Sequence, residues 1–238
     1  MPHDRFYIDA QFEQDKQLEL EGSELHHMVR VSRLRVGETV ELINGRGYLA
    51  TAEVTALERN LAILTILSLV QQERSPPQLI LAQALLKPNL LDWVVEKGTE
   101  LGVTDFWLFP GHQSERNDLS SNQLQRVHHL ILSATKQCGR LDLPRVELKP
   151  ELLKWQALAA TAFFGDLSPS APNFLQVSPS PIAPLLLFIG PESGFDKQEI
   201  AHLKQMGALG VRLHHHTLRA ETAALAGLVL ANSLLNKS

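Results

Sequence analysis

The rhythm of apolar and polar positions changes once along this chain. Before residue 71, short stretches alternate or nearly alternate, as in Thr39-Val40-Glu41-Leu42-Ile43 and Ala52-Glu53-Val54-Thr55-Ala56-Leu57, with Asn44-Gly45-Arg46-Gly47 between them. Alternation sends every second side chain to one face, so strands separated by glycine turns predict a small β-barrel or sheet. Polar Gln71-Gln72-Glu73-Arg74-Ser75 and the pair Pro76-Pro77 then break the pattern. Downstream, continuous apolar runs trade places with helical periods. Strands are predicted at Leu79–Leu85, Phe106–Phe109, Thr161–Phe164 and Leu185–Ile189, and helices at Pro88–Leu101, Gln123–Gln137, Lys197–Met206 and Ala220–Leu235. In the first helix Leu90, Leu91, Val94, Val95, Gly98 and Leu101 form one stripe, with Pro88 at its start and Gly102 past its end. The Pro/Ser-rich stretch from Ser168 to Pro184 reads as a surface loop.

Strands alternating with helices predict an α/β domain with a mostly parallel sheet. Ligands of such sheets sit beyond the carboxyl ends of the strands, which directs attention to two junctions. The run Leu185-Leu186-Leu187-Phe188-Ile189 stops at Gly190-Pro191-Glu192-Ser193-Gly194-Phe195, where two glycines permit a turn with bare amide groups. Leu213, three histidines and Leu218-Arg219-Ala220-Glu221-Thr222 then open the last helix. Two strand-to-loop junctions this close in sequence can wall one pocket.

At 238 residues the chain has length for a smaller and a larger domain. The boundary is expected near residue 72, giving domains 1–72 and 73–238. The single cysteine, Cys138, excludes an internal disulfide framework and points to a reducing, intracellular home. The N-terminus lacks the apolar core of a signal peptide, and the apolar stretches are too short or too interrupted to span a bilayer, so a soluble, cytoplasmic protein without membrane contact is expected. A net charge of −4 argues mildly against a nucleic-acid partner, but the placement of basic residues matters more than their sum. Arg30, Arg33 and Arg35 crowd one segment; Arg140 and Arg145 mark another. Arg33 and Arg35 would share one side of a strand and, with Lys16 or Arg5, could meet phosphates.

Several of these segments, in order, resemble one family. Gly190-Pro191-Glu192-Ser193-Gly194-Phe195 followed by Leu218-Arg219-Ala220-Glu221-Thr222-Ala223 is similar to the paired signature of the SPOUT superfamily of RNA methyltransferases. Within it the chain resembles the RsmE family, which methylates N3 of a uridine in 16S ribosomal RNA. Residues 26–37 resemble that family's PUA-like RNA-binding domain. Glu96-Lys97-Gly98-Thr99-Glu100-Leu101-Gly102-Val103, Ser114-Glu115-Arg116 and Lys136-Gln137-Cys138-Gly139-Arg140 resemble segments of its catalytic domain.

The resemblance implies a C-terminal trefoil knot that forms an S-adenosyl-L-methionine site, a homodimer packed through the knot domain, and 16S ribosomal RNA in the assembled small subunit as partner. Gly165, Ile189, Gly190, Glu192, Gly194, Leu213, His214, Leu218 and Thr222 would contact the cofactor. Arg219, Glu221 and Arg140 would serve the chemistry, and Arg30, Arg33, Arg35 and Arg116 the RNA. Two positions depart from the family pattern: Ser193 stands where a second glycine is usual, and His214-His215-His216 replaces a stretch with a glycine and an arginine. The rival reading is therefore a noncatalytic protein that binds ribosomal RNA or aids assembly with a degenerate cofactor site.

Simpler readings stand beside these. The glycine-rich junction alone is an ordinary strand-to-helix turn, and Glu221 could simply favour the start of a helix. On an extended chain His214 and His216 face one way and His215 the other, with no ligand partner at a telling spacing, so no metal is expected. Cys138 is expected to be an inert packing residue rather than a nucleophile. No GxxxxGK[ST] or GxGxxG fingerprint supports a generic nucleotide-binding enzyme.

Overall fold

The computed structural model describes residues 4–73, 77–114, 117–178 and 183–235. They divide into two compact units, Met1–Arg74 with Thr135–Leu143, and Ser75–Ala134 with Pro144–Ser238. Residues 135–143, which the sequence pattern groups with the downstream half, thus belong to the first unit.

The first unit contains β1 (Arg5–Tyr7), β2 (Gln17–Leu20), α1 (Gly22–His26), β3 (Thr39–Ile43), β4 (Tyr48–Leu57) and β5 (Ala62–Gln71). Its sheet has the order β1-β3-β4-β5-β2. β1 and β3 are parallel and the other pairs antiparallel. Register shifts between Thr51 and Ala52 and between Val54 and Ala56 interrupt the long β4–β5 ladder, and such irregularities bend a strand. One face collects Phe6, Met28, Leu42, Ala52, Val54, Leu64 and Ile66, all fully buried.

The arginine segment is not a strand. α1 continues into a wider helical turn over His27–Val31, and Arg33 has φ +56°. The cause is Met28, fully buried, with partly buried Leu34 beside it, whose amide donates to the Met28 carbonyl. Arg33 and Arg35 are exposed because Leu34 between them turns inward, not because they share a pleat. Arg5 is also not free for phosphate: its guanidinium is ion-paired to Glu41, with Nε 2.9 Å from the carboxylate.

The second unit is α/β. It contains β6 (Leu79–Ala84), α2 (Pro88–Glu100), β7 (Asp105–Phe109), α3 (Ser121–Cys138), whose last turn belongs to the first unit, β8 (Arg145–Leu148), β9 (Thr161–Gly165), β10 (Leu185–Ile189), α4 (Lys197–Gln205), β11 (Leu209–Val211) and α5 (Ala220–Leu235). All pairings are parallel, in the order β11-β9-β10-β6-β7-β8. The chain builds outward from β6 to β8, returns to the far side for β9, and fills the remaining gap with β10. β6 and β10 are therefore central and buried along their whole length, which is why they read as unbroken apolar runs.

α2 and α5 pack together on one face of this sheet, α5 against β6 and β10. On the other, Leu186 and Phe188 pack with Leu203 of α4 and with Trp155. The stretch after β9 is more than a surface loop, since Phe174 is fully buried and packs against Phe163 with the rings tilted by 55°. No helix among the described residues is long and apolar enough to cross a membrane.

Candidate functional site

The carboxyl ends of β9 and β10 meet the β11–α5 connection at one point. A methyl group built on Gly165, the last residue of β9, would stand 3.5 Å from Leu213 Cδ1 and 3.8 Å from Ile189 Cδ1. Leu213 also reaches α5, where the same construction on Gly227 lies 3.5 Å from its Cδ1. Three of the predicted cofactor residues are thus brought together, with Gly165 facing both Ile189 and Leu213, and Leu213 wedged between Gly165 and Gly227.

The β10 turn folds back on its own first residue. A Cβ on Gly190 would lie 3.1 Å from the Phe195 nitrogen and 3.2 Å from the Gly194 carbonyl carbon, so a side chain there would press on the backbone of the turn. The Gly194 amide donates to the Pro191 carbonyl at 2.9 Å, and Gly194 has φ +77° with open space beyond its Cα. Ser193 has no positive φ, so a side chain there is unstrained; its hydroxyl donates to the Gln113 carbonyl at 3.2 Å. Glu192 accepts the Lys87 amide ahead of α2. Beneath the turn, buried Gln83 of β6 donates through Nε2 to the carbonyls of Ala84 and Gly190, at 3.0 and 3.4 Å.

A second loop, after β7, is fastened to this turn. Gly111 abuts Pro191, since a Cβ there would be 3.1 Å from the proline ring. The His112 imidazole Nδ1 lies 2.6 Å from the Asp196 carboxylate, and the His112 amide donates to Glu199 at 3.0 Å. Asp196 and Glu199 form a reciprocal cap on α4. The Glu199 amide, followed by the His112 imidazole, holds the Asp196 carboxyl below its usual range, against the opposing effect of burial. Gln83, His112 and Asp196 are not among the residues that the sequence pattern singles out. Only the cap had a legible signature, an acid at 196 with Glu199 three residues on.

The β11–α5 connection is held at its start, where the Arg212 amide donates to the Pro172 carbonyl and its own carbonyl accepts the Phe174 amide. His214, His215 and His216 follow, exposed on a bend rather than alternating along an extended chain, and their rings pack against one another. Leu218 is half-buried and Arg219 exposed. The Arg219 carbonyl accepts the Ala223 amide at 2.7 Å, so Arg219 sits at the mouth of α5 with Glu221 and Thr222 in the first turn. Glu221 is placed there to favour the helix dipole, as its simpler reading requires.

The remaining predicted residues lie elsewhere. Arg140 belongs to the first unit and is paired to Asp142 at 2.8 Å. Arg30, Arg33 and Arg35 are exposed in that unit, and Arg116 lies outside the described residues. Cys138 is exposed rather than packed inside.

The sequence model described as the RNA methyltransferase domain matches residues 73–232, and that of the RNA methyltransferase PUA domain matches residues 20–67. The ribosomal RNA small subunit methyltransferase E of Synechocystis sp. is 30% identical over 225 residues, covering 91% of this chain and 73% of that protein. Its namesake in Bacillus subtilis is 25% identical over 242 residues, covering 94% of each. Among solved structures, ribosomal RNA small subunit methyltransferase E of Neisseria gonorrhoeae bound to S-adenosyl methionine superimposes with a TM-score of 0.86 at 27% identity, covering 98% of both chains.

Proposed function

The chain belongs to the RNA methyltransferase domain family, and from that premise we propose that it methylates N3 of a uridine in 16S ribosomal RNA, using S-adenosyl-L-methionine. The observation that carries this reading is the meeting of Gly165, Ile189 and Leu213 at the carboxyl ends of the central strands, in a chain similar over nearly its whole length to a relative bound to that cofactor.

The residues at that point fit such a group. Ile189, Leu213 and Leu218 offer apolar contact to an adenosine, and the open side of Gly194 leaves backbone within reach of its polar atoms. His214 and Thr222 border the same connection, and Glu192, which accepts the Lys87 amide, would steady the turn beside the cofactor. When bound, the cofactor supplies an electrophilic methyl group on a sulfonium.

The protein's part is to favour the uridine anion and hold it in line. Uridine N3 is a good nucleophile only once deprotonated, and its charge then spreads to the flanking carbonyl oxygens. Arg219 cannot be the base, because guanidinium stays protonated to a pKa above about 12, but its donor fork matches an enolate-like oxygen. Arg140 would take the second such role or hold a phosphate, and Glu221 would steady the connection or accept the N3 proton. Alignment of this kind is worth on the order of 7–11 kcal/mol in favourable intramolecular cases.

The finer architecture belongs to the same proposal. We infer a PUA-like RNA-binding domain over 1–72 and a catalytic domain over 73–238 whose C-terminal part threads a trefoil knot. The hydrogen bonds of Arg212 to Pro172 and Phe174, and the contact of α5 with the turn at Phe174, support such threading. A cytoplasmic homodimer acting on the assembled small subunit completes the reading. The noncatalytic alternative rests on Ser193 and His214, and at Ser193 the backbone accepts a side chain without strain.

Calorimetry with S-adenosyl-L-methionine, followed by mass spectrometry of small subunits incubated with protein and cofactor, tests the proposal. Saturable binding and a new methyl group on uridine N3 are expected. Absence of cofactor binding would leave only the RNA-binding alternative.

A further inference from the structure

The connection from β11 to α5 reads Arg212-Leu213-His214-His215-His216-Thr217-Leu218-Arg219, two arginines and three histidines without one carboxylate. In a chain of net charge −4 this is a local reversal of sign. All its residues except Leu213 and Leu218 are exposed. The His214 and His215 ring centroids are 4.0 Å apart with the planes tilted by 37°, those of His215 and His216 3.9 Å apart at 52°, and those of His214 and His216 5.5 Å apart at 53°, a tilted cluster of rings. The His216 amide donates to His214 Nδ1 at 3.1 Å, so the neutral His214 ring carries its hydrogen on Nε2 and its orientation is set by the backbone.

The cluster stands on a pinned base. Leu213, directly before it, packs on Gly165 and Gly227, and the Arg212 backbone is held from both sides by residues 172 and 174. Among the described residues no group of three or more His, Cys, Asp or Glu side chains is placed to hold a metal ion. Nor are they neutralised from neighbouring segments. Asp166 after β9 accepts the Ser168 amide, Glu192 accepts the Lys87 amide, and Glu221 lies in the first turn of α5. No ion pair among the described residues joins these carboxylates to the imidazoles.

We propose that the exposed His214–His216 ring cluster is a landing surface for a nucleobase of single-stranded RNA beside the reacting uridine, a role that rests on the methyl-transfer reading above. Unpaired bases stack on histidine rings and arginine planes whatever their sequence, and this run presents both kinds of group next to the cofactor residues.

The test uses the full chain and a fluorescently labelled single-stranded RNA of mixed sequence, with H215A/H216A and H215F/H216F beside wild type. Thermal unfolding checks that all three are equally folded. The alanine pair is expected to weaken RNA binding about tenfold. The phenylalanine pair, which keeps the flat rings without their polar atoms, should restore it to within about threefold. Calorimetry with S-adenosyl-L-methionine on the same preparations reads the underlying functional proposal separately. Loss of RNA affinity with cofactor uptake retained supports the proposed role of the cluster. Unchanged affinity in H215A/H216A overturns it whatever the cofactor does, and a loss that phenylalanine fails to restore overturns the stacking role.

Discussion

Arg219 and Arg140 carry the same charge in different settings, and the setting decides what each has left to give. No ion pair among the described residues engages Arg219, whereas Arg140 shares its guanidinium with Asp142. A free donor fork at a helix mouth can follow charge as it develops on a ligand oxygen. Removing one donor of that kind typically costs about 10²–10³ in rate. Arg219→Ala is therefore expected to lower single-turnover methyl transfer about a hundredfold, and Arg219→Lys, which keeps the charge without the fork, should fall between the two. Equal rates for all three proteins would remove Arg219 from the chemistry. Asp196 acts on stability instead. Its carboxyl titrates below the ordinary aspartate range when folded, so its contribution is present above the unfolded value, about 3.9, and disappears as pH falls through the lower folded one. Asp196→Asn keeps a capping oxygen but loses the charge that faces His112. Its deficit in melting temperature should be visible at neutral pH and shrink below about pH 4. A deficit independent of pH would mean that the charge contributes nothing.

At the scale of elements, two glycines separate loop geometry from helix packing. A methyl group on Gly190 meets backbone atoms of Gly194 and Phe195, which cannot step aside without opening the turn. On Gly227 it meets the Leu187 side-chain tip at 2.6 Å, which can move, though only by disturbing the α5–β10 contact and the Leu213 wedge. Gly190→Ala should therefore weaken S-adenosyl-L-methionine binding at least tenfold with a smaller loss of stability. Gly227→Ala should cost about 1–3 kcal/mol in urea unfolding. The reverse ranking would contradict the assignment of the β10 turn to the cofactor. These contacts explain what could be read in advance. β10 and α5 have the predicted limits, because an unbroken apolar run and a small-residue apolar helix are strong local signals. β8 was missed because, at the sheet edge, it has no fully buried residue, and three-residue β11 is too short to carry a period. The Leu213 wedge was illegible for another reason: it depends on β10 filling the gap left by β9, which is a property of strand order and not of any local stretch.

Over the whole molecule, the net charge of −4 opposes an RNA partner only if charge acts as a sum. Screening prevents that, since at physiological salt charges farther apart than about 8 Å barely feel one another. What counts is local, and the first unit presents Arg30, Arg33 and Arg35 within one short exposed segment. No ion pair among the described residues involves any of them, in contrast to Arg5, which Glu41 holds against its own sheet. An unpaired surface arginine that meets a phosphate releases a condensed counterion, and this release sets the salt dependence of binding. For single-stranded RNA each such contact contributes about 0.7 to the slope of log affinity against log salt. If all three arginines touch the backbone, R30A/R33A/R35A should flatten that slope by about 2. Binding of S-adenosyl-L-methionine should be unaltered, because none of the three belongs to the unit that holds Gly165, Ile189 and Leu213. Titrating a labelled RNA at several salt concentrations measures the change directly. A slope equal to that of wild type would mean that RNA reaches the protein without this segment, and the proposed RNA-binding role of residues 1–72 would have to rest on other residues.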